Sequence, residues 1–594
     1  MTLSFSDGLS SAATWAPAAS LLERVLSATN RPAGGHAPMT TMRGAAERRS
    51  LRTLQRPHEG ARREPLADRR GSIRSARRRV DSCAHGWSDR NDRQLQIRRK
   101  GMTVETTETI GRGCDNDAHA VDIHNHIFNA LFLPVRAVFA MFCRHYKIIP
   151  EEIGRAAGRL IEFITIVRSA LGGASVEETQ AILLSGAASN DDLFTRLAQE
   201  APAEAAHDPT VRAGLRRLGT PTGAMALADP AQVDATRAAF ESLLRRMAKT
   251  VPDSIFGEDE RSHGVGSVSA ITGWLRWIWL LTEPEAKIAL QLCSTNRQIG
   301  LFVTHMMDME RWYRGGRCFY KVWPDQFAKM RRVISQTNGR MLTFVAFDPS
   351  RDKGLEIVKN AVALGAAGVK FYPPNGYRAS GNENAKIEKA VDAFFGYCSD
   401  NGIPVFTHCN LQGFEAEIDK SGCNSDPKYW ARALDKHKKL RLCFGHGGGD
   451  EWWLDIAVER CDGNPFAPGV LELCANSESV FCEFGYFNEL RKPAAADHFR
   501  KKLIEVAKDK KLRTRIAYGT DWHMPQMVVQ SSVDYFNIFD EMFKDKDLKD
   551  WRNDFFARNA ARFLNLDAYI ERAKHLLTKQ TIEHLGNFVV ADGA

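Results

Sequence analysis

Near position 120 the chain reads Val121-Asp122-Ile123-His124-Asn125-His126, an apolar run that ends in His-x-His. Residues two apart on a β-strand project to the same face, so His124 and His126 can grip one cation between two imidazoles. Taken alone, the pair is equally compatible with two core histidines that find ordinary hydrogen bonds. Its weight comes from three later apolar runs that also end in a ligand type: Pro404 to His408, Leu442 to His446 and Ala517 to Asp521. Imidazole nitrogens and a carboxylate together suit a divalent metal, and a separate bland explanation would have to hold at every one of these run ends. If the last run is a strand, Ala517 and Gly519 share the face of Asp521, and their small size leaves room for a carboxylate and a water. Other polar residues nearby have two readings each. Trp522 and His523 follow Asp521 and could face substrate or pack a loop; Arg378 could bind a carboxylate or be a surface charge. His305 and Asp308 lie near the end of another apolar run, where Asp308 could orient a neighbour. Glu483 is a candidate buried charge with no assigned role.

The elements that must position these residues are eight short apolar segments: Ala120 to His126, Ile299 to Met307, Met341 to Phe347, Ala367 to Tyr372, Ile403 to His408, Leu440 to His446, Ser479 to Phe484 and Thr514 to Asp521. Helix-length sequence separates them, as at Asn384 to Tyr397, where Ile387, Ala390, Val391, Phe394 and Phe395 recur at helical spacing. Eight strands alternating with helices predict an α/β fold, a (β/α)8 TIM barrel, with the candidate ligands at the C-terminal strand ends where barrel enzymes keep their chemistry. More than 150 residues between the first two strands are too many for a simple connection. Apolar stripes at Pro150 to Leu171 and Asp234 to Met247, and the Ala-rich Ala187 to Asp208, predict a large helical insertion packed near the barrel mouth. The expected division is a leader over 1–101, the barrel over 102–134 and 298–566, the insert over 135–297, and a C-terminal helix (Leu566 to Leu577) and tail over 567–594.

The net charge of +9 would suit an acidic partner, yet it sits at one end. Residues 1–100 hold 20 of the 81 Lys+Arg and 9 of the 72 Asp+Glu, which leaves 61 and 63 for the remainder. Of those 20 residues 19 are Arg, and the stretch shows no periodicity that could bury a face. It reads as a disordered leader, or as upstream sequence ahead of a native start at Met102; it has too many acids for a transit peptide and lacks the aromatics of a nucleic-acid arm. Twelve cysteines without a CxxC pair, mostly in apolar surroundings, read as buried thiols of a reducing, cytoplasmic compartment. The longest apolar windows are interrupted by Arg136 and Arg276, so no membrane span is expected. A small-molecule substrate is the expected partner, nucleic acid is disfavoured, and self-association is left open.

His-x-His on the first strand, His on the fifth and sixth and Asp on the eighth resemble the amidohydrolase superfamily. The closest wording is that of its amidohydrolase-related, aminocarboxymuconate-semialdehyde decarboxylase-like branch. Phe347-Asp348-Pro349, Gly368-Val369-Lys370-Phe371-Tyr372-Pro373-Pro374, Gly445-His446-Gly447-Gly448, Gly519-Thr520-Asp521-Trp522 and Asn559-Ala560-Ala561-Arg562-Phe563-Leu564 carry the likeness over about 120–134 and 298–566. The resemblance implies one or two divalent metals, zinc first, held by His124, His126, His408 and Asp521, with Lys370 a bridging ligand only if carboxylated. It implies that Asp521 moves the proton of a metal-activated water and that His446 stabilises the oxyanion. The expected reaction is hydrolysis of a small amide, ester or lactone. Nonoxidative decarboxylation at the same site, aided by Arg378, is the alternative, and a noncatalytic metal-binding barrel is the third.

Overall fold

The computed structural model describes residues 119–145, 270–313, 315–527 and 532–589, with single positions between 151 and 173. The Arg-rich leader and the segments Ala187 to Asp208 and Asp234 to Met247 lie outside the described residues, as does most of Pro150 to Leu171, whose described positions are mainly helical.

Eight strands form one parallel sheet in sequential order: β1 Ala120–Asn125, β2 Ile299–His305, β3 Met341–Phe347, β4 Gly368–Phe371, β5 Val405–Thr407, β6 Leu442–Phe444, β7 Val480–Glu483 and β8 Ile516–Ala517. Helices intervene, and the sheet curls into a nearly closed (β/α)8 barrel. Each predicted strand is present, and all except β3 are shorter than expected, chiefly at the C-terminal end. The chain leaves the ladder before His126, His408, His446 and Asp521, whereas His124 stays on β1.

Alternation sorts the side chains into two layers. Val121, Ile123, Leu301, Val303, Leu342, Phe344, Phe406, Cys443, Phe481 and Ala517 fill the barrel interior. Phe302, Val345, Phe347, Val369, Phe371, Val405, Leu442 and Phe444 face the surrounding helices. The helix Ala385–Asp400 shows why one such element forms: Asn384 caps it by accepting from Lys386 N, and Val391, Phe394, Phe395 and Cys398 make its buried stripe. Phe394 stacks on Phe347 at 4.0 Å. The helix Asn559–Leu564 floors the barrel, its Phe563 ring 5.9 to 6.5 Å from those of Phe344, Phe406 and Phe481.

After β1 come the helices Val135–His145 and, later, Ala270–Thr282 and Glu285–Thr295. Trp277 of the second lies 6.1 Å from both Phe414, after β5, and His523, after β8, so this helix stands against the C-terminal face. Among the described residues no helix is long and apolar enough to cross a membrane. The expectation of thiols throughout needs one correction: Cys423, half-buried in the loop after β5, and Cys461, exposed in a turn after β6, form a disulfide. Cys143, Cys293, Cys398, Cys409, Cys443, Cys474 and Cys482 are free and buried as expected.

Candidate metal centre

Strand parity alone would turn His124 and His126 away from the interior, since Val121 and Ile123 already point into it. A bulge resolves the conflict. The β1–β2 register moves from Asp122↔Phe302 to Asn125↔Thr304, three residues against two, and the extra residue re-aims both histidines inward. Asp122 holds the bulge: it accepts from His124 N (3.0 Å), from Thr520 N (3.1 Å) and from Thr520 Oγ1 (2.7 Å), tying β1 to the turn after β8. That turn closes the seam through Asp521 N–H to His124 O (2.6 Å) and His126 N–H to Trp522 O (2.5 Å). Asp521, at φ 57°, and His446, at φ 60°, both lie in the left-handed region just beyond their strands.

His124, His446 and Asp521 offer ligand atoms within 4.8 Å of one another, all buried, and form a candidate metal site. His126 joins through Asp521, with Nε2 3.1 Å from Oδ1, against 3.2 Å for His124 Nε2. His408 joins through His446, with Nδ1 3.0 Å from His446 Nε2.

The outer nitrogens explain why these contacts suit a cation. His126 Nδ1 faces His305 O at 2.9 Å, His408 Nε2 faces Gln412 O at 2.6 Å and His446 Nδ1 faces Gly485 O at 2.8 Å. A carbonyl only accepts, so each of these nitrogens carries the proton and the other nitrogen of the ring presents a lone pair. His124 Nδ1 faces Glu483 Oε1 at 2.9 Å in the same sense. The lone pairs of His124 and His446 and the Asp521 carboxylate therefore lie together, with His126 Nε2 against Asp521 and His408 Nδ1 against His446 Nε2, and lone pairs facing one another at about 3 Å repel unless a positive charge lies among them. Burial lowers the pKa of His124, His408 and His446, which disfavours protonation as the source of that charge. The residues present thus fit a divalent metal held by nitrogen and oxygen ligands.

Lys370 Nζ lies 3.1 Å from His124 Nε2 and 4.3 Å over the Phe406 ring. Burial lowers its pKa to about 8 against the opposing charges of Asp521 and Glu483. Burial raises Glu483 to about 8, opposed by the hydrogen bond from His446 N–H.

The remaining candidates lie elsewhere. His523 is fully buried, its Nε2 3.4 Å from Phe128 O and its pKa pushed down to about 3 by burial. Trp522 packs into the core outside the barrel and not toward the ligands. Arg378 donates to Asn424 Oδ1 (2.9 Å) and lies over Tyr429, away from the histidines. Asp308 pairs with Arg351. The space expected beside Gly519 is taken, because Glu483 Oε2 lies where a Cβ at 519 would be. His305, near a strand end in the sequence, packs against both His124 and Phe406 and donates to Ile123 O at 2.7 Å. Asp122 and Thr520 escaped notice; an acid in the middle of an apolar strand was the available signal.

A parallel barrel with a buried His/Asp cluster at its C-terminal face defines the class of protein. Residues 313–566 match the sequence profile of a family described as amidohydrolase. The match begins after β2, so His124 and His126 lie outside it. No curated protein matches the chain. Similar solved structures include a probable 2-pyrone-4,6-dicarboxylic acid hydrolase from Acinetobacter baumannii with bound citric acid (14% identity, 46% of this chain and 85% of that one, TM-score 0.30). An amidohydrolase from Burkholderia multivorans with bound zinc is 13% identical (48% and 91%, TM-score 0.33). A 5-carboxyvanillate decarboxylase from Novosphingobium aromaticivorans with manganese and 4-hydroxy-3-methoxy-5-nitrobenzoic acid is also 13% identical (55% and 92%, TM-score 0.33).

Proposed function

We propose that the protein is a metal-dependent hydrolase of a small molecule bearing an amide, ester or lactone bond. The observation that carries this reading is the grouping of His124, His446 and Asp521, with His126 against Asp521 and His408 against His446, and each ring tied through its other nitrogen to an acceptor. His124, His126, His408 and Asp521 would hold a divalent cation, zinc first, and the nearness of His446 to His124 and Asp521 makes it a further candidate ligand. When bound, such an ion polarises a carbonyl and lowers the pKa of water toward neutrality.

The chain's own groups supply the rest. Asp521 Oδ2 accepts the proton of the attacking water and delivers it to the leaving nitrogen or oxygen. His446, if it is not a ligand, stabilises the oxyanion. Lys370 sits where its amine, carboxylated, could bridge a second ion. The decarboxylation alternative draws on Arg378 as a carboxylate anchor, a role its engagement with Asn424 and Tyr429 does not support.

Elemental analysis of purified protein, coupled to a screen of lactones, esters, amides and aromatic acids, tests the reading. One zinc per chain in both the native protein and Lys370→Ala, with acid released from a lactone, ester or amide, is the expected result. Two equivalents lost in Lys370→Ala would establish a bridged pair. Release of carbon dioxide without water consumption would replace hydrolysis by decarboxylation, and a metal-free, inactive protein would sink both.

A further inference from the structure

Glu483 ends β7 and is fully buried. Its Oε1 accepts from two neighbouring segments: the ring Nδ1 of His124 at 2.9 Å and the backbone N–H of His446 at 2.9 Å. Oε1 is an acceptor in either protonation state of the carboxyl, so the arrangement does not depend on its charge. Oε2 has no partner and lies against two glycines. A Cβ at Gly519 would overlap Oε2, and one at Gly485 would stand 3.0 Å from Oε2 and 2.9 Å from His124 Nδ1. The turns after β7 and β8 are thus bare of side chain at the two points where one would displace this carboxyl.

We propose that Glu483 is a positioning residue of the metal centre: one oxygen orients the His124 ring and anchors the turn carrying His446, so that both Nε2 atoms face the same point. The inference rests on the metal-centre reading above. Without the acceptor, the His124 ring loses the partner that orients it and takes the Nδ1 proton, and the contact of Nε2 with Lys370 Nζ is left to hold the ring. The turn at His446 has left-handed backbone and would lose the acceptor of its N–H. Partners of this kind typically change metal affinity by about 10- to 100-fold when removed.

The test compares full-length wild type, Glu483→Leu, Glu483→Gln and Gly519→Ala. Zinc affinity is measured by competition with a chromophoric chelator, and folding by near-UV circular dichroism. Glu483→Leu should bind zinc about 10- to 100-fold more weakly. Glu483→Gln should recover most of that loss, because its carboxamide oxygen also accepts, and Gly519→Ala should weaken binding although it alters no ligand. Wild-type affinity in Glu483→Leu, or a Gln variant as weak as the Leu one, overturns the proposal while leaving the metal centre standing. Failure of the wild-type protein to take up zinc removes both. Should the Leu variant not fold, ¹⁵N spectra of histidine-labelled wild type decide: His124 protonated at Nδ1 supports the proposal, and protonation at Nε2 overturns it.

Discussion

The β2–β4 wall and the β8–β1 seam of the barrel are built differently. Along the wall, β2 pairs with β3 and β3 with β4 through four consecutive residues each, without a shift. Behind it, Phe347, Phe371 and Phe394 form a parallel stack. At the seam, β8 is two residues long, β1 bulges, and the ladder is replaced by single bonds from Ile123, His126, Thr520 and Asp521. Asp521 lies there in left-handed backbone that costs a non-glycine residue about 1–3 kcal/mol. The wall earns stability from burial, and the seam gives up regularity to aim His124, His126 and Asp521 at one point, which a period of two does not achieve.

If this contrast holds, changes at the seam cost more in function than in stability, and changes in the wall do the reverse. Asp521→Asn carries the largest expected effect. Removing the carboxylate should cut turnover by on the order of 10³-fold or more, while the metal-free unfolding midpoint stays level or rises, because Asn tolerates φ 57° and no charge remains buried. A fall in that midpoint would show that the carboxylate also holds the fold. Phe394→Ala, in the stack behind the wall, should cost about 3–5 kcal/mol in denaturant unfolding, with full metal stoichiometry in the protein that remains folded. Loss of metal at a temperature where it is folded would erase the contrast. Thr520→Val is the mildest. It removes the Oγ1 donor to Asp122 Oδ2 and should cost about 1–3 kcal/mol, together with a measurable drop in metal affinity as the bulge loosens. Unchanged affinity would mean that Asp122 does not transmit the seam's geometry to the ligands.

Much of this was legible in the residues. Apolar runs of strand length marked all eight strands, and the polar residue ending four of them marked the centre. The strand ends were misplaced because a His or Asp beyond an apolar run is indistinguishable, by pattern, from the last residue of the run; Asp521 lies four residues past β8. The inward direction of His124 was expected for the wrong reason. Alternation with Val121 and Ile123 points it outward, and only the extra residue in β1 corrects this. Arg378 and Trp522 are near the site in sequence, whereas the loop partners of Arg378 and the packed apolar core around Trp522 hold them elsewhere.

By itself the sequence determined the barrel, the strand order and the identities of the candidate ligands, because hydrophobic periodicity and ligand chemistry are local properties. Only the tertiary structure decided which ring nitrogen of each histidine is free, that Glu483 reaches both His124 and His446, and that the space beside Gly519 is filled by Glu483. These depend on which atom stands across from which, and residues 398 apart in the chain meet at the Asp122–Thr520 bond that sets that placement.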